Sequence, residues 1–198
     1  MQKVCIITGG TSGIGLCTAQ EMLAAGYEVY ELSRRRDGRL GMHHIPTDIT
    51  EENMVTAAVN LIMEQSGRID VLINNAGYGL SGAVEFISTE EAMRQFDVNF
   101  FGIVRMNRAV LPIMRGQGFG RIINMGSVAA IYPLPFQAYY SATKAAVNSI
   151  PWRWPTRCFL SAWKCAAYSL AISRPTSLRP EERWQRVTIS TEAASGTA

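Results

Sequence analysis

The chain has 198 residues, 47% of them hydrophobic and 18% charged, ordinary values for a globular domain large enough to bury a real core. Its net charge of +3 is too small to argue for a nucleic-acid partner, and no apolar run is long enough to span a membrane, so neither partner is expected. Met1, Gln2 and Lys3 lead straight into an apolar stretch too short for a signal-peptide core, and a cytoplasmic location is expected.

Residues 3–8 form a short apolar, β-branched run closed by glycines, the pattern of a buried strand. Residues 13–25 set Ile14, Leu16, Ala19, Met22 and Leu23 at helical spacing, and Gly26 stops that helix. Residues 28–32 and 43–46 read as second and third strands. Thr50 is expected to cap a helix reaching about residue 65, with Glu51 and Glu52 in a first turn whose dipole favours acids. A fourth strand is predicted at 69–74, a long helix near 89–115, a fifth strand at 121–125, and another helix opening at 138–149. This alternation predicts an α/β domain built on a doubly wound parallel sheet of the Rossmann type.

Between the first strand and first helix lies Thr8-Gly9-Gly10-Thr11-Ser12-Gly13-Ile14-Gly15. Gly9 allows a tight turn, Gly13 lets backbone approach a pyrophosphate, and Gly15 permits close packing of helix on sheet. The helix start, with Thr11, Ser12 and Ile14, offers N–H groups and a positive dipole end to phosphates. Its G-x3-G-x-G spacing differs from the common dinucleotide fingerprint G-x-G-x-x-G, and alone it is compatible with a merely structural glycine loop.

Further motifs follow in order: Asn74-Asn75-Ala76-Gly77 at the end of the fourth strand, Asn99 in Asp97-Val98-Asn99, Ser127 after the fifth strand, and Tyr140-x3-Lys144 beginning 13 residues after the serine. As a set they resemble the short-chain dehydrogenase/reductase family over residues 3–149. The resemblance implies hydride transfer between a nicotinamide cofactor and a small carbonyl or alcohol substrate. It gives Asn75, Ala76 and Gly77 a cofactor-binding place, Asn99 a water relay from Lys144, and Lys144 a second role on the nicotinamide ribose.

The second strand ends in Leu32-Ser33-Arg34-Arg35-Arg36. Family members that use NAD carry Asp where this chain has Ser33. A guanidinium at Arg34 can instead pair bidentately with a 2′-phosphate, so NADP(H) is the expected cofactor; the alternative is a solvated arginine loop. Asp48 and Ile49, in Thr47-Asp48-Ile49, resemble the family's adenine-contacting segment, against the alternative of a simple turn before a helix.

A phenol has a pKa of about 10 and is a weak acid at neutral pH; a nearby ammonium stabilises the phenolate. Tyr140 and Lys144 are i and i+4 on a helix and share a face, so Tyr140 is expected as general acid/base and Lys144 as its tuner. Tyr139 lies off that face. Ser127 would hydrogen-bond the carbonyl oxygen. His43 and His44 show no acidic partner pattern and read as edge-strand surface residues. The methionines, Met106 and Met114 among them, read as core fillers. Cys5, Cys17, Cys158 and Cys165 have no CxxC spacing, so neither a zinc site nor a disulfide framework is indicated; Cys5 and Cys17 are expected to be buried thiols.

The composition changes near residue 150. Residues 1–150 hold 12 Lys+Arg against 13 Asp+Glu, and residues 151–198 hold 7 against 3; all four tryptophans and only one of 17 glycines lie in the later segment. Pro151 and Pro155 interrupt the catalytic helix, and the family's Pro-Gly turn is absent. Shifting the reading frame by one base from Pro151 permits LAMANEVLPFGVEVCSVQPGDIKTDFT, which resembles the missing family segment. The expectation is therefore a catalytic domain over 1–150 and an out-of-frame tail over 151–198, with C-terminal strands and helices missing or disordered. The rivals are a basic-aromatic tail for a membrane or partner, and an inactive, truncated nucleotide-binding remnant. An intact family member would be a homo-oligomer. Leu134, Pro135 and Phe136 hint at a lipid-like or steroid-like carbonyl substrate.

Overall fold

The computed structural model describes residues 1–35, 41–132 and 134–150, together with the backbone of 167–169. Its strands are β1 (Val4–Thr8), β2 (Glu28–Ser33), β3 (His43–Pro46), β4 (Val71–Asn74), β5 (Arg121–Asn124) and β6 (Ala167–Ser169). They form one sheet in the order β3-β2-β1-β4-β5-β6, every neighbouring pair parallel. Helices α1 (Gly13–Ala24), α2 (Glu52–Ser66), α3 (Thr89–Phe96), α4 (Gly102–Gln117) and α5 (Ala138–Ser149) connect or cover the strands.

All five residues of β1 and all four of β4 are buried, as continuous apolar strands at the centre of a two-faced sheet must be. Along β2 the faces separate. Val29 joins Cys5, Ile7, Ala19 and Ile73 on the α1 side, while Tyr30 and Leu32 join Ile6, Val59, Ile62, Leu72, Met106 and Val110 under α2 and α4. The order of connection reverses between β1 and β4, so a crevice opens at the carboxyl ends of those strands, where ligands bind in such sheets.

Several elements depart from the sequence expectations. The fourth strand starts at Val71 rather than residue 69, because Gln117 takes both backbone groups of Ile69, at 2.9 Å to its N–H and 2.8 Å to its carbonyl. The long helix expected at 89–115 is divided by a π-helical turn, Asp97–Phe101, which carries Asn99; such widened turns collect at functional sites. Thr50 does not cap α2 with its side chain. Its hydroxyl donates to Asp48 instead, at 2.7 Å, and Glu51 occupies the cap position. Cys5 is buried as expected, whereas Cys17 is half-buried.

Beyond residue 150, the described backbone supplies β6, which fills the sixth place of the sheet beside β5. The expectation of missing C-terminal strands therefore has this one short exception. The rest of 151–198, and with it the proposed change of reading frame, lies outside the described residues.

Candidate active site

The glycine turn leaves β1 and is held from two sides. The Thr8 hydroxyl oxygen accepts the N–H groups of Asn75 and Ala76, at 3.1 and 3.0 Å. The Asn75 amide donates back to the carbonyls of Thr8 and Gly9, at 3.1 and 2.9 Å. Gly9 and Gly13 adopt left-handed backbone (φ 66° and 53°), which favours glycine. A Cβ on Gly15 would sit 2.2 Å from the Gly9 carbonyl and 2.3 Å from the Asn75 amide nitrogen, so the expected close packing is strict.

The turn fits a dinucleotide phosphate. Ser12 precedes α1 but makes no side-chain capping bond, which leaves the first-turn N–H groups without that partner. A Cβ on Gly13 would meet nothing within 4 Å, so the space above the helix start is open. Thr11 is half-buried, and Ser12 and Ile14 are exposed at this mouth.

Ser33 and Arg34 stand at the carboxyl end of β2. Arg34 is exposed and close enough to Asp48 to influence it electrostatically. Burial pushes the Asp48 carboxyl up. The Thr50 N–H and hydroxyl, with the charges of Arg34 and Arg105, outweigh this and hold it below the usual carboxylate value. Ile49 turns its side chain into the core, where a Cβ on Gly102 would come within 2.5 Å of it. Only its backbone is left to face a ligand.

On the other side of the crevice, Asn99 is fully buried in the π-helical turn. Its amide oxygen accepts from the Tyr78 N–H at 3.0 Å. Its amide nitrogen donates to the Tyr78 carbonyl at 2.9 Å and to the Thr143 hydroxyl at 3.2 Å. The side chain thus clamps the loop after Asn75-Ala76-Gly77 to α5. Gly77 allows this approach, because a Cβ there would lie 3.0 Å from the Asn99 oxygen.

Helix α5 presents Tyr140 and Lys144 on one face, with the Lys144 ammonium 5.9 Å from the Tyr140 ring centroid. Tyr140 is half-buried and Lys144 is 6% exposed. The ammonium donates to the Met125 carbonyl at 2.7 Å, tying α5 to the end of β5. Burial pulls its pKa down from 10.5 to about 8. Ser127 starts a 3-10 turn, Val128–Ala130, against which α5 packs, and its oxygen accepts the Ala129 N–H at 3.2 Å. The hydroxyl proton is not used in that bond. Phe136 adopts φ 61°, uncommon for an aromatic residue, and its carbonyl accepts the Gly82 N–H at 2.8 Å.

Two groups escaped the sequence reading. Thr8, Thr143 and the Met125 carbonyl position the site through backbone bonds that no motif spacing reveals. His44, expected on the surface without an acidic partner, is 11% exposed at its side chain and lies 2.6 Å from the buried Glu31 carboxylate. His43 also has a carboxylate neighbour, Glu28, at 3.3 Å. Among the described residues no group of three His, Cys, Asp or Glu side chains could hold a metal ion, and no helix is long and apolar enough to cross a membrane.

The family model for short chain dehydrogenases matches residues 3–152. The chain belongs to this family. It is 43% identical over 147 residues to a 3-ketodihydrosphingosine reductase of Bacteroides thetaiotaomicron, covering 74% of this chain and 55% of that protein. It thus spans about half the length of the curated relatives it matches. Among solved structures, ElxO with NADP bound superposes with a TM-score of 0.80 at 28% identity, over 87% of this chain and 74% of that one. An NAD+-bound xylitol dehydrogenase superposes with a TM-score of 0.78 at 27% identity, over 87% and 71%. Nicotinamide cofactors of both kinds therefore occur among the structural neighbours of this short-chain dehydrogenase.

Proposed function

We propose that this chain holds the cofactor-binding and catalytic machinery of an NADP(H)-dependent oxidoreductase that interconverts a carbonyl and an alcohol. The observation that carries the reading is the buried Lys144 ammonium, one helical turn from Tyr140 and fixed on Met125 beside Ser127. When bound, the cofactor supplies or accepts the hydride at the substrate carbon. In the direction of reduction, Tyr140 gives its phenolic proton to the oxygen that was the carbonyl. Lys144 favours the phenolate left behind. Ser127 donates its free hydroxyl proton to the same oxygen and orients the carbonyl. Asn99 keeps the Tyr78 loop against α5 and so holds Gly77 beside Lys144; a water relay starting at Lys144 would run from this corner.

Gly9, Thr11, Ser12, Gly13, Ile14 and Gly15 would cradle the pyrophosphate, and Asp48 and the Ile49 backbone would meet the adenine. Asn75, Ala76 and Gly77 would line the nicotinamide side. Arg34, exposed at the end of β2, supports NADP(H) over NAD(H) as the partner of a 2′-phosphate. A lipid-like carbonyl substrate is supported by the exposed Ile131, Leu134 and Phe136 between Ser127 and Tyr140, and by the likeness to the 3-ketodihydrosphingosine reductase of Bacteroides. The same reading carries a cytoplasmic location and, for a full-length relative, homo-oligomeric assembly.

The test is NADPH fluorescence titration beside a turnover assay across ketones of increasing chain length. Saturable NADPH binding with ketone-dependent oxidation is expected. Tight binding without oxidation of any ketone would overturn the enzymatic reading of this chain.

A further inference from the structure

Beneath the glycine turn lies a buried polar group that neither the motifs nor the catalytic scheme uses. Glu31 is 2% exposed on β2, yet three donors converge on it. One carboxylate oxygen accepts the Gly10 N–H at 3.0 Å. The other faces His44 Nδ1 at 2.6 Å and the Ser33 hydroxyl at 3.2 Å. The contact with Gly10 is close: a Cβ there would sit 2.7 Å from Glu31 Cγ, so the second glycine of the turn makes room for this carboxylate. Register places the histidine, because Glu31 and His44 are direct partners between β2 and β3. Carboxylate oxygens only accept, so Nδ1 carries the proton and donates.

Ser33 is the link to the ligand. Its hydroxyl has one proton, and two acceptors compete for it, Glu31 and the Arg35 carbonyl at 3.0 Å. What Ser33 can offer outward is therefore a lone pair. A ribose 2′-hydroxyl can donate to that lone pair, whereas a 2′-phosphate needs donors. Arg34 supplies such donors from the next position. The end of β2 thus combines one residue suited to a 2′-phosphate with another whose donor has been taken away.

We propose that Glu31, held by His44, is a positioning residue that limits the preference for NADPH over NADH by occupying the Ser33 proton. The inference rests on the reading that Ser33 and Arg34 border the cofactor's 2′ position. In Glu31→Gln the side-chain amide oxygen can still accept the Gly10 N–H. Its NH2 group then donates to Ser33, so the serine proton is left to the neutral Arg35 carbonyl alone, which the charged oxygens of a 2′-phosphate can outcompete, and the negative charge near the 2′ position is removed.

The experiment measures Kd for NADPH and for NADH on the full chain by fluorescence titration, in wild type, Glu31→Gln, Ser33→Ala and the double variant. Glu31→Gln should raise the NADPH:NADH affinity ratio about three- to tenfold, the worth of one added hydrogen bond. Most of that gain should vanish in the double variant, since that part acts through the Ser33 hydroxyl and only the part due to the lost carboxylate charge remains. A general loosening of the turn would weaken both nucleotides together and leave the ratio unchanged. An unchanged ratio in Glu31→Gln, or a gain that survives undiminished in the double variant, overturns the proposal while leaving the cofactor reading in place. Failure of wild type to bind either nucleotide would overturn the cofactor reading itself and this inference with it.

Discussion

Lys144→Met should make the cofactor-free protein more stable while removing its activity. Burial lowers the Lys144 pKa from 10.5 to about 8, and at 1.36 kcal/mol per unit the buried charge costs about 3 kcal/mol below about pH 8. Methionine keeps the length and most of the volume of the side chain. It leaves the Met125 carbonyl without its donor, a loss of about 1 kcal/mol. The net expectation is a gain of about 2 kcal/mol at about pH 7. The sign of the pH dependence is opposite to that of a stabilised cation. Between about pH 8 and 10.5 the native lysine has shed its proton and the unfolded one still holds it, so wild-type stability rises by about 1.4 kcal/mol per pH unit. By about pH 9.5 the advantage of the variant should therefore have shrunk by about 2 kcal/mol. Urea denaturation of both proteins at the two pH values measures this. A variant less stable than wild type at neutral pH, or an advantage that does not change with pH, would refute the account of Lys144 as a destabilising charge kept for chemistry.

Tyr140→Phe should lower turnover by a factor on the order of 10²–10⁴ and leave the NADPH Kd nearly unchanged; retained activity in a steady-state assay would remove Tyr140 from the proton transfer. Arg34→Asp should weaken NADPH binding by roughly 10- to 100-fold, the loss of a charge-assisted pair, and swing preference toward NADH; titration with both nucleotides reads it, and an unchanged ratio would take Arg34 out of the cofactor argument. Gly15→Ala drives a Cβ to 2.2 Å from the Gly9 carbonyl, so thermal melting should show a loss of about 1–3 kcal/mol. A melting curve like that of wild type would mean that the turn can shift without penalty. Asn99→Ala leaves the Tyr78 N–H without its partner and the Tyr78 carbonyl with Gln95 alone, and should reduce stability by about 1–2 kcal/mol. It should also reduce kcat more than it raises KM for the ketone, and a pure stability effect would limit Asn99 to a structural clamp.

The strands and helices were legible because each is a contiguous run. The buried β1 and β4 read as unbroken apolar stretches, and α1 and α2 as amphipathic repeats. The glycine turn, Asn99, Ser127 and Tyr140-Lys144 could be picked out as candidates because the chemistry proposed for them depends on residue type and spacing. What escaped lies across strands. Glu31 and His44 are 13 positions apart and meet only because β2 and β3 pair in that register. Thr8 reaches Asn75 across 67 positions, between neighbouring central strands. Asn99 stands out by resemblance as the anchor of a water relay, but its bonds to Tyr78 and Thr143, 21 and 44 positions away, have no signal in the sequence. The π-helical turn that places it has no composition signal, since it differs from an α-helix only in which carbonyl each N–H meets.

The buried polar groups show how this sheet separates stability from function. On the two apolar faces lie residues such as Ile6 and Leu72 on one side and Ile7 and Ile73 on the other, with no polar side chain to satisfy. Asn74, Asn124, Glu31 and Lys144 are all buried at or near the carboxyl ends of the strands, on the side where the crevice opens. Asn74 donates to Asn107 at 3.0 Å and to Asn124 at 2.9 Å, and the Asn74 carbonyl accepts the Met125 N–H at 3.0 Å. Met125 in turn accepts from Lys144. A chain of hydrogen bonds therefore runs from α4 through β4 and β5 to α5. Buried polar groups destabilise a fold unless paired, and each pairing here fixes one strand end against the next. The chemistry proposed for this site needs that rigidity, since it requires one oxygen within reach of Ser127 and Tyr140 together. This accounts for polar residues being buried where a more stable core would use apolar ones.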